Sequence, residues 1–183
     1  MPVGFTKHFE HGALKKKMSD NTTPLVGVVM GSQSDWATMK HATLTLDKLG
    51  IGHDARVISA HRTPDLLEEW IGSARDRGIR VIIAGAGMAA HLAGVTAAKT
   101  SLPVLAVPLG GGALDGVDAL YAMVQMPKGI PVGTLAIGKS GAINAALLAA
   151  SILALSNPEI AEAYEEFRKE QTEQGVANSI PKD

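Results

Sequence analysis

The sequence predicts one α/β domain in which a parallel sheet carries helices on both faces. Three observations support this prediction. Short apolar segments alternate five times with longer segments whose apolar residues recur at helical spacing. Gly50 and Gly78 end two of the longer segments and Pro64 begins one, as is typical of helix boundaries. Finally, 183 residues with 46% apolar side chains can bury one stable core.

The first predicted strand, residues 25–30, is a run of Leu, Val and Met broken by one glycine, which is typical of a strand covered on both faces. Parallel strands need crossover connections, and the longer segments supply them. At this length we predict the flavodoxin-like order, a three-layer sandwich around a five-stranded sheet. The predicted strands are 25–30, 56–59, 80–84, 104–107 and 133–137, and the predicted helices are 35–49, 64–77, 89–100, 117–125 and 140–155.

A sixth helix, at about residues 158–174, follows after the predicted sheet is complete. The preceding segment, residues 142–155, is apolar nearly all round, whereas a helix at the surface should carry a polar face. Either the sixth helix or another subunit must cover it, and we favour another subunit.

Composition excludes several classes of function. The chain has no cysteine, which excludes disulfides, thiolate nucleophiles and Cys-based zinc sites and fits a cytoplasmic protein. Its 17 Lys and Arg and 18 Asp and Glu give a net charge of −1, which predicts no nucleic-acid partner. The longest apolar run, residues 142–155, is shorter than the roughly 20 residues of a membrane span, so we predict no membrane partner.

Residues 1–23 are mostly polar and lack the continuous apolar core of a secretory signal. We interpret them as a flexible N-terminal extension, with Met18 as an alternative start. Residues 24–183 are then a single catalytic domain that ends in the sixth helix.

Ligands of such sheets bind beyond the carboxyl ends of the strands. After the first strand, residues 31–35 (Gly-Ser-Gln-Ser-Asp) lead directly into a helix. Backbone N–H groups at a helix N-terminus and the hydroxyls of Ser32 and Ser34 could bind an anion. The same residues could equally form a plain helix cap, with Ser34 or Asp35 satisfying the first turn.

After the second strand, residues 59–64 (Ser-Ala-His-Arg-Thr-Pro) place a histidine beside an arginine. An arginine can hold phosphate or carboxylate with two parallel hydrogen bonds, which suits Arg62 to an anionic ligand. Histidine side chains titrate near neutral pH and can shuttle protons, which makes His61 a candidate acid/base. The alternative is an ordinary solvent-exposed loop.

After the third strand, residues 85–92 (Gly-Ala-Gly-Met-Ala-Ala-His-Leu) are mostly small. Small residues allow a ligand to approach the backbone closely, but they also allow tight packing of a strand on a helix. By itself His91 could be a structural histidine. Three glycines at 110–112 follow the fourth strand and indicate a mobile loop or a tight backbone path. The histidines show no metal-ligand spacing, so we predict no metal site.

Together with residues 125–134 (Gln-Met-Pro-Lys-Gly-Ile-Pro-Val-Gly-Thr), these three strand-end motifs resemble the N5-carboxyaminoimidazole ribonucleotide mutases of de novo purine synthesis. The resemblance covers about residues 25–172. It implies a flavodoxin-like subunit of a homo-octamer with sites near subunit interfaces, a ribonucleotide substrate, and no metal, ATP or organic cofactor.

The resemblance also implies roles for individual residues. Ser32 and Arg62, with backbone amides near Ser34, would bind the phosphate, and Asp35 would bind ribose hydroxyls. Ser59 would support this site. His61 would be the acid/base that protonates N5, releases carbon dioxide for attack by C4, and then removes the C4 proton. The remaining implied residues would line the carboxylate pocket: Gly87, Ala89, Ala90, His91 and Leu92.

Two departures from the family pattern stand out. The usual loop reads Gly-Gly-Ala-Ala-His-Leu-Pro-Gly, whereas Met88 here replaces the second glycine and Ala93 replaces the proline. Residues 110–112 are also richer in glycine than the family pattern. A methionine in this loop resembles related carboxylases, which use free carbon dioxide and aminoimidazole ribonucleotide, whereas the retained Ala-His-Leu at 90–92 favours the mutase.

Two further functions remain compatible with the sequence. A flavin-binding electron carrier would share the fold but would need aromatic residues in the strand-end loops, which carry almost none. A non-catalytic nucleotide-binding module would keep the phosphate-binding residues Ser32 and Arg62 without needing His61.

Overall fold

The structure is a computed structural model that describes residues 23–181. Apart from Thr23, the predicted N-terminal extension lies outside the described residues. The strands are β1 (Val26–Met30), β2 (His53–Val57), β3 (Val81–Gly87), β4 (Val104–Leu109) and β5 (Gly133–Thr134). The helices are α1 (Trp36–Lys48), α2 (Pro64–Gly72), α3 (Leu92–Ala98), α4 (Val117–Val124), α5 (Lys139–Ala154) and α6 (Pro158–Ala177), with a short 3₁₀ helix at Gln33–Asp35.

The strands form one parallel sheet in the order β2-β1-β3-β4-β5. Val26 of β1 is in register with both His53 of β2 and Val81 of β3, so the carboxyl ends of these strands lie at one edge of the sheet. The predicted flavodoxin-like fold is therefore confirmed.

Alternate residues of the strands enter two separate cores, because successive side chains of a strand point to opposite faces. Val28 and Met30 pack with α1, α5 and α6 on one face of the sheet. Val29 packs with α2, α3 and α4 on the other face. Helices α1 to α5 each follow a strand, so their N-termini lie at the edge of the sheet where a ligand would bind.

Several predicted boundaries were wrong by a few residues. The second strand begins at His53 rather than Arg56, because β2 is an edge strand whose polar residues hide the strand pattern. The third strand runs to Gly87 rather than Ala84, since its last residues still pair with β4. Helix α2 ends at Gly72, where the next hydroxyl, Ser73 Oγ, donates to the carbonyls of Glu69 and Trp70.

The remaining boundary differences lie near the site and at the end of the chain. Helix α3 begins at Leu92, so residues 89–91 belong to a loop rather than to the predicted helix. Strand β5 is reduced to Gly133–Thr134, although Leu135 N still donates to Ala106 O of β4 at 2.9 Å. Helix α6 extends to Ala177, beyond the expected end at about residue 174.

The apolar helix α5 is covered largely from within the chain. It packs between the sheet, α1 and α6, and its small residues allow these close approaches. Ile160 of α6 is buried against it, with Tyr164 and Phe167 partly buried beside it. The preference for another subunit was therefore wrong for the face that α6 covers, whereas Leu148 and Leu155 stay exposed.

The edge strand β2 is tied to α2 by one carboxylate. Asp54 Oδ2 accepts hydrogen bonds from Trp70 Nε1 at 2.9 Å and from Arg77 Nη1, and Arg56 Nε lies 2.8 Å from Asp54 Oδ1. Burial alone would raise the pKa of Asp54, but these hydrogen bonds and the neighbouring positive charges lower it. This cluster holds the strand from which the loop at 59–63 leaves.

None of the helices between residues 23 and 181 combines the length and the apolar character needed to cross a membrane.

Candidate active site

A cleft with a volume of about 370 Å³ opens at the carboxyl ends of β1 to β4. This is the edge at which parallel α/β sheets bind their ligands. Nine of the eleven residues predicted for the site line it: Ser32, Ser34, Asp35, Ser59, His61, Arg62, Gly87, Ala89 and Leu92. Ala90 and His91 do not line it. The lining residues not predicted for the site are Gly31, Ala60, Ala86, Met88, Gly110, Gly111 and Gly112.

The loop after β1 is both a helix cap and a wall of the cleft. Ser32 Oγ accepts a hydrogen bond from Ser34 N at 3.4 Å, and Asp35 Oδ2 accepts one from Ser32 N at 2.9 Å. These two bonds make a capping box for the 3₁₀ helix. The two interpretations considered for this segment are therefore compatible, because the capping residues also line the cleft.

The carboxyl group of Asp35 has a raised pKa. Partial burial raises it, and this effect outweighs the hydrogen bonds from the backbone of Ser32 and Gly31 and the positive charge of Arg62, which lower it. The charged form of Asp35 is therefore less favourable in the folded protein than in the unfolded chain.

We expect Asp35→Asn to make the free protein slightly more stable at neutral pH. The amide can still accept the hydrogen bond from Ser32 N, but it removes the partly buried charge. Because the pKa of Asp35 in the folded protein lies above its ordinary value of 3.8, ionisation destabilises the fold as the pH rises through this window. Urea unfolding at neutral pH and near pH 4 measures the effect.

The stability gain of Asp35→Asn should shrink as the pH falls toward 3.8. Asp76→Asn, at an exposed position on the turn after α2, is the matched control. A loss of stability in Asp35→Asn at neutral pH would contradict the sign of the pKa shift.

The loop after β2 is closed by its own hydrogen bonds. Ser59 N donates to Thr63 Oγ1 at 3.0 Å, and Ser59 Oγ accepts from Arg62 N at 3.2 Å. From this turn the Arg62 side chain crosses to the neighbouring loop, where Nη2 donates to Gly31 O at 2.9 Å. Arg62 thus joins the loops after β1 and β2 and also lines the cleft.

The two loop histidines meet each other. His61 Nε2 lies 3.0 Å from His91 Nδ1, and the rings are nearly perpendicular at 87° with their centroids 5.0 Å apart. Since a hydrogen bond needs one donor and one acceptor, only one of the two facing nitrogens carries a proton. His61 lines the cleft and His91 does not, so His91 is placed to orient the ring of His61.

The loop after β3 is a succession of tight turns. Ala90 N donates to Met88 O at 2.8 Å, and His91 N donates to Ala89 O at 2.9 Å. Gly87 is needed for packing, because a Cβ there would lie 3.1 Å from Leu109 O. Ala90 is buried, and the turn that contains it carries His91 to within 3.0 Å of His61.

A model of the AIR carboxylase family matches residues 25–174, which is most of the chain. The chain belongs to this family. Three curated relatives, each named N5-carboxyaminoimidazole ribonucleotide mutase, come from Vibrio cholerae, Bacillus subtilis and Escherichia coli K12. The V. cholerae protein is 58% identical, and the match covers 85% of this chain and 97% of the V. cholerae protein. The B. subtilis protein is 56% identical, and the match covers 85% of this chain and 96% of the B. subtilis protein. The E. coli protein is 55% identical, and the match covers 90% of this chain and 97% of the E. coli protein.

Two solved structures share the fold. A crystal structure of Treponema denticola PurE has a TM-score of 0.76 and 28% identity, and covers 85% of this chain and 96% of its own. A crystal structure of a variant of T. denticola PurE2 has a TM-score of 0.78 and 26% identity, with coverage of 86% and 96%. These likenesses support the assignment of the fold.

Within this AIR carboxylase family member, Met88 has an unusual backbone. Its φ angle is 51°, which lies in the left-handed region. This conformation costs a residue with a Cβ about 1–2 kcal/mol. The side chain is 61% exposed and lines the cleft, where its Cγ would lie 3.3 Å from a Cβ added to Gly112 of the loop after β4. Two of the places at which the sequence departs from the family pattern are therefore neighbours in the cleft.

Between residues 23 and 181, no three His, Cys, Asp or Glu side chains are grouped closely enough to hold a metal ion.

Proposed function

We propose that this protein is an N5-carboxyaminoimidazole ribonucleotide mutase of de novo purine (IMP) biosynthesis. It would move a carboxyl group from N5 to C4 and so form 4-carboxy-5-aminoimidazole ribonucleotide. The observation that carries the proposal is the 55–58% identity to proteins of that name over nearly their whole length. The chemistry of the residues that line the cleft also supports it.

The first step is to bind a ribonucleotide. Arg62 offers a planar set of donors that suits phosphate, and Ser32 and Ser34, whose hydroxyls are hydrogen-bonded to each other, line the same cleft. Asp35, at the C-terminal end of that helix, would accept hydrogen bonds from ribose hydroxyls. Ser59 would act indirectly, because its hydroxyl holds the backbone of Arg62.

The second step is carboxyl transfer, with His61 as the acid/base. The imidazolium form of His61 donates its proton to N5 of the carbamate, the N5–carboxyl bond breaks, and carbon dioxide is released beside the ring. The C4 carbon attacks the carbon dioxide and forms the new carbon–carbon bond. Neutral His61 then removes the C4 proton, which restores both the aromatic ring and the imidazolium.

Two features of the cleft suit this cycle. His91 fixes the orientation of the His61 ring through the 3.0 Å contact, so that one histidine can serve N5 and C4 in turn. The cleft would also hold the carbon dioxide next to C4, so that the carbon–carbon bond forms between two bound reactants without a diffusional encounter in solution.

An aminoimidazole ribonucleotide carboxylase that uses free carbon dioxide is the second candidate. Met88, which stands where the family pattern has glycine, is the observation that favours it. A flavin-binding electron carrier has less support, because the lining of the cleft, within the described residues, contains no Phe, Tyr or Trp to sandwich a flavin. A non-catalytic module would not need the paired histidines.

An assay with two substrates offered separately tests the proposal. Purified protein receives either the N5-carbamate ribonucleotide or aminoimidazole ribonucleotide with dissolved carbon dioxide, and formation of the 4-carboxy product is followed. We expect fast conversion of the carbamate and only slow carboxylation by free carbon dioxide. Efficient use of free carbon dioxide without turnover of the carbamate would reverse the assignment in favour of the carboxylase.

Assembly and location are also part of the proposal. We propose a homo-octamer in the cytoplasm, with sites near subunit interfaces and with residues 24–183 as its single catalytic domain. An exposed apolar stripe on and beside α4 offers surface for contacts between copies: Leu114, Val117, Tyr121 and Val124. Sedimentation of the purified protein would measure the number of subunits.

A further inference from the structure

Residues 59–63 carry the two side chains to which the proposed function gives proton transfer and phosphate binding. The chain enters this loop from Ile58, which is buried and whose N–H donates to the last carbonyl of β1 at 2.8 Å. It leaves the loop at Pro64, the first residue of α2. Between these two points His61 and Arg62 are exposed, so hydrogen bonds rather than core packing hold the loop in place.

Thr63 makes three of the four hydrogen bonds that close this loop on itself. Its Oγ1 accepts from Ser59 N at 3.0 Å and donates to Ser59 O at 3.1 Å, and Thr63 N donates to the same carbonyl at 2.9 Å. The fourth bond runs from Arg62 N to Ser59 Oγ. One hydroxyl therefore uses both its donor and its acceptor capacity on the two backbone groups of Ser59.

The same hydroxyl is withheld from the helix that it precedes. Thr63 is the N-cap residue of α2, a position at which a threonine oxygen usually accepts a hydrogen bond from the second or third N–H of the helix. The Thr63 side chain makes no such bond, and its oxygen is engaged with Ser59 instead. A threonine kept only for helix stability would cap the helix, so this contact indicates a role in the loop.

The side chains that leave this loop contact two different neighbouring loops. His61 Nε2 lies 3.0 Å from His91 Nδ1, and Arg62 Nη2 donates to Gly31 O at 2.9 Å. A change in the backbone of the loop would therefore move both side chains relative to their partners. Thr63 itself does not line the cleft, so its influence on a bound ligand would pass through these two residues.

We propose that Thr63 is a positioning residue, whose hydroxyl places His61 and Arg62 together through its bonds to Ser59. The inference rests on the proposed function, which assigns proton transfer to His61 and phosphate binding to Arg62. A misplacement of about 1 Å can lower the rate of an enzyme about 10²-fold. Loss of the Thr63 hydroxyl therefore impairs proton transfer and phosphate binding at once.

Four variants separate the hydroxyl from the rest of the side chain. Thr63→Val removes the hydroxyl and keeps the shape of the side chain, whereas Thr63→Ser keeps the hydroxyl and removes the methyl group. Thr63→Ala is a second variant without the hydroxyl, should Thr63→Val fold poorly. Thr172→Val on α6 is the matched control, because the exposed Thr172 Oγ1 also donates to the carbonyl four residues earlier at 3.1 Å.

Steady-state kinetics with the carbamate ribonucleotide give kcat and KM for each variant. We expect Thr63→Val and Thr63→Ala to lower kcat about 10–100-fold and to raise KM at least about threefold, with circular dichroism that matches the wild type. Thr63→Ser and Thr172→Val should stay within about twofold of the wild type in both constants. In a His61→Asn background, adding Thr63→Val should change kcat less than about twofold, because the side chain that it positions is already lost.

A second readout needs no substrate. Spectra of free protein with ¹⁵N-labelled histidine report which ring nitrogens of His61 and His91 are hydrogen-bonded, and we expect Thr63→Val to change these signals and Thr63→Ser to keep them. Unchanged signals in Thr63→Val would overturn the positioning role, as would wild-type kcat and KM in both variants without the hydroxyl. An equal loss of kcat in Thr63→Ser and Thr63→Val would also overturn it, since the hydroxyl would not be the cause. Failure of the wild type to convert the carbamate, with the histidine signals changed as expected in Thr63→Val, would overturn the proposed function instead.

Discussion

Replacing His61 by asparagine is expected to lower kcat for carbamate conversion by about 10²–10⁴-fold, the range contributed by a general acid/base. Asparagine keeps the polarity of the side chain, but it cannot donate a proton to N5 and then remove one from C4. Because His61 belongs to an exposed loop closed by Ser59 and Thr63, the fold should be unaffected. Steady-state kinetics measure the loss, and calorimetric titration with the 4-carboxy product measures binding.

The control for His61→Asn is His41→Asn, on α1 and outside the cleft lining. We expect it to keep wild-type kcat, and we expect His61→Asn to bind the product with an affinity within a few-fold of the wild type. Wild-type turnover in His61→Asn would refute the proposed mechanism and leave the non-catalytic nucleotide-binding module as the better explanation of the cleft.

Replacing Arg62 by alanine is expected to weaken substrate binding strongly, with a loss in kcat/KM equivalent to about 1.5–3 kcal/mol, the range of a hydrogen bond to a charged group. The variant removes the proposed partner of the phosphate and also the bond from Nη2 to Gly31 O that joins the loops after β1 and β2. Arg62→Lys should recover part of the loss, since it restores the charge but not the paired donors. Kinetics with the carbamate and titration with the product measure the change.

Arg168→Ala, at an exposed position on α6, is the matched control for the loss of a positive charge. It should leave kcat/KM unchanged. Full activity in Arg62→Ala would mean that the phosphate lies elsewhere in the cleft, and the assignment of Ser32 and Ser34 to the same group would fall with it.

The fold could be predicted where burial is complete. Strands β1, β3 and β4 are buried on both faces, so their apolar runs stand out from the amphipathic helices between them. The predicted position of strand β2 was wrong because the polar side chain of Asp54 is held by hydrogen bonds from Trp70 and Arg77, which lie outside the strand. The sequence around β2 carries no local sign of those contacts.

The site could be predicted in its parts but not in its contacts. The rule that ligands bind at the carboxyl ends of parallel strands singled out the loops, and the family resemblance assigned the individual residues, nine of which line one cleft. The contact between His61 and His91 could not be foreseen, because it depends on loops that leave strands on either side of β1 and turn toward each other. The contribution of residues 110–112 to the lining was missed because glycines offer no side chain to suggest a role.

The strand order has a consequence for how the protein behaves in a crowded solution. A sheet of five strands has two open edges, here β2 and β5, and an open edge invites another chain to add a strand. The β2 edge carries His53, Asp54 and Arg56, whose charged or polar side chains disfavour such pairing. The β5 edge is two residues long and follows Pro131, which has no N–H to donate. Both edges are therefore poor templates for strand addition, which protects a largely apolar parallel sheet from aggregation.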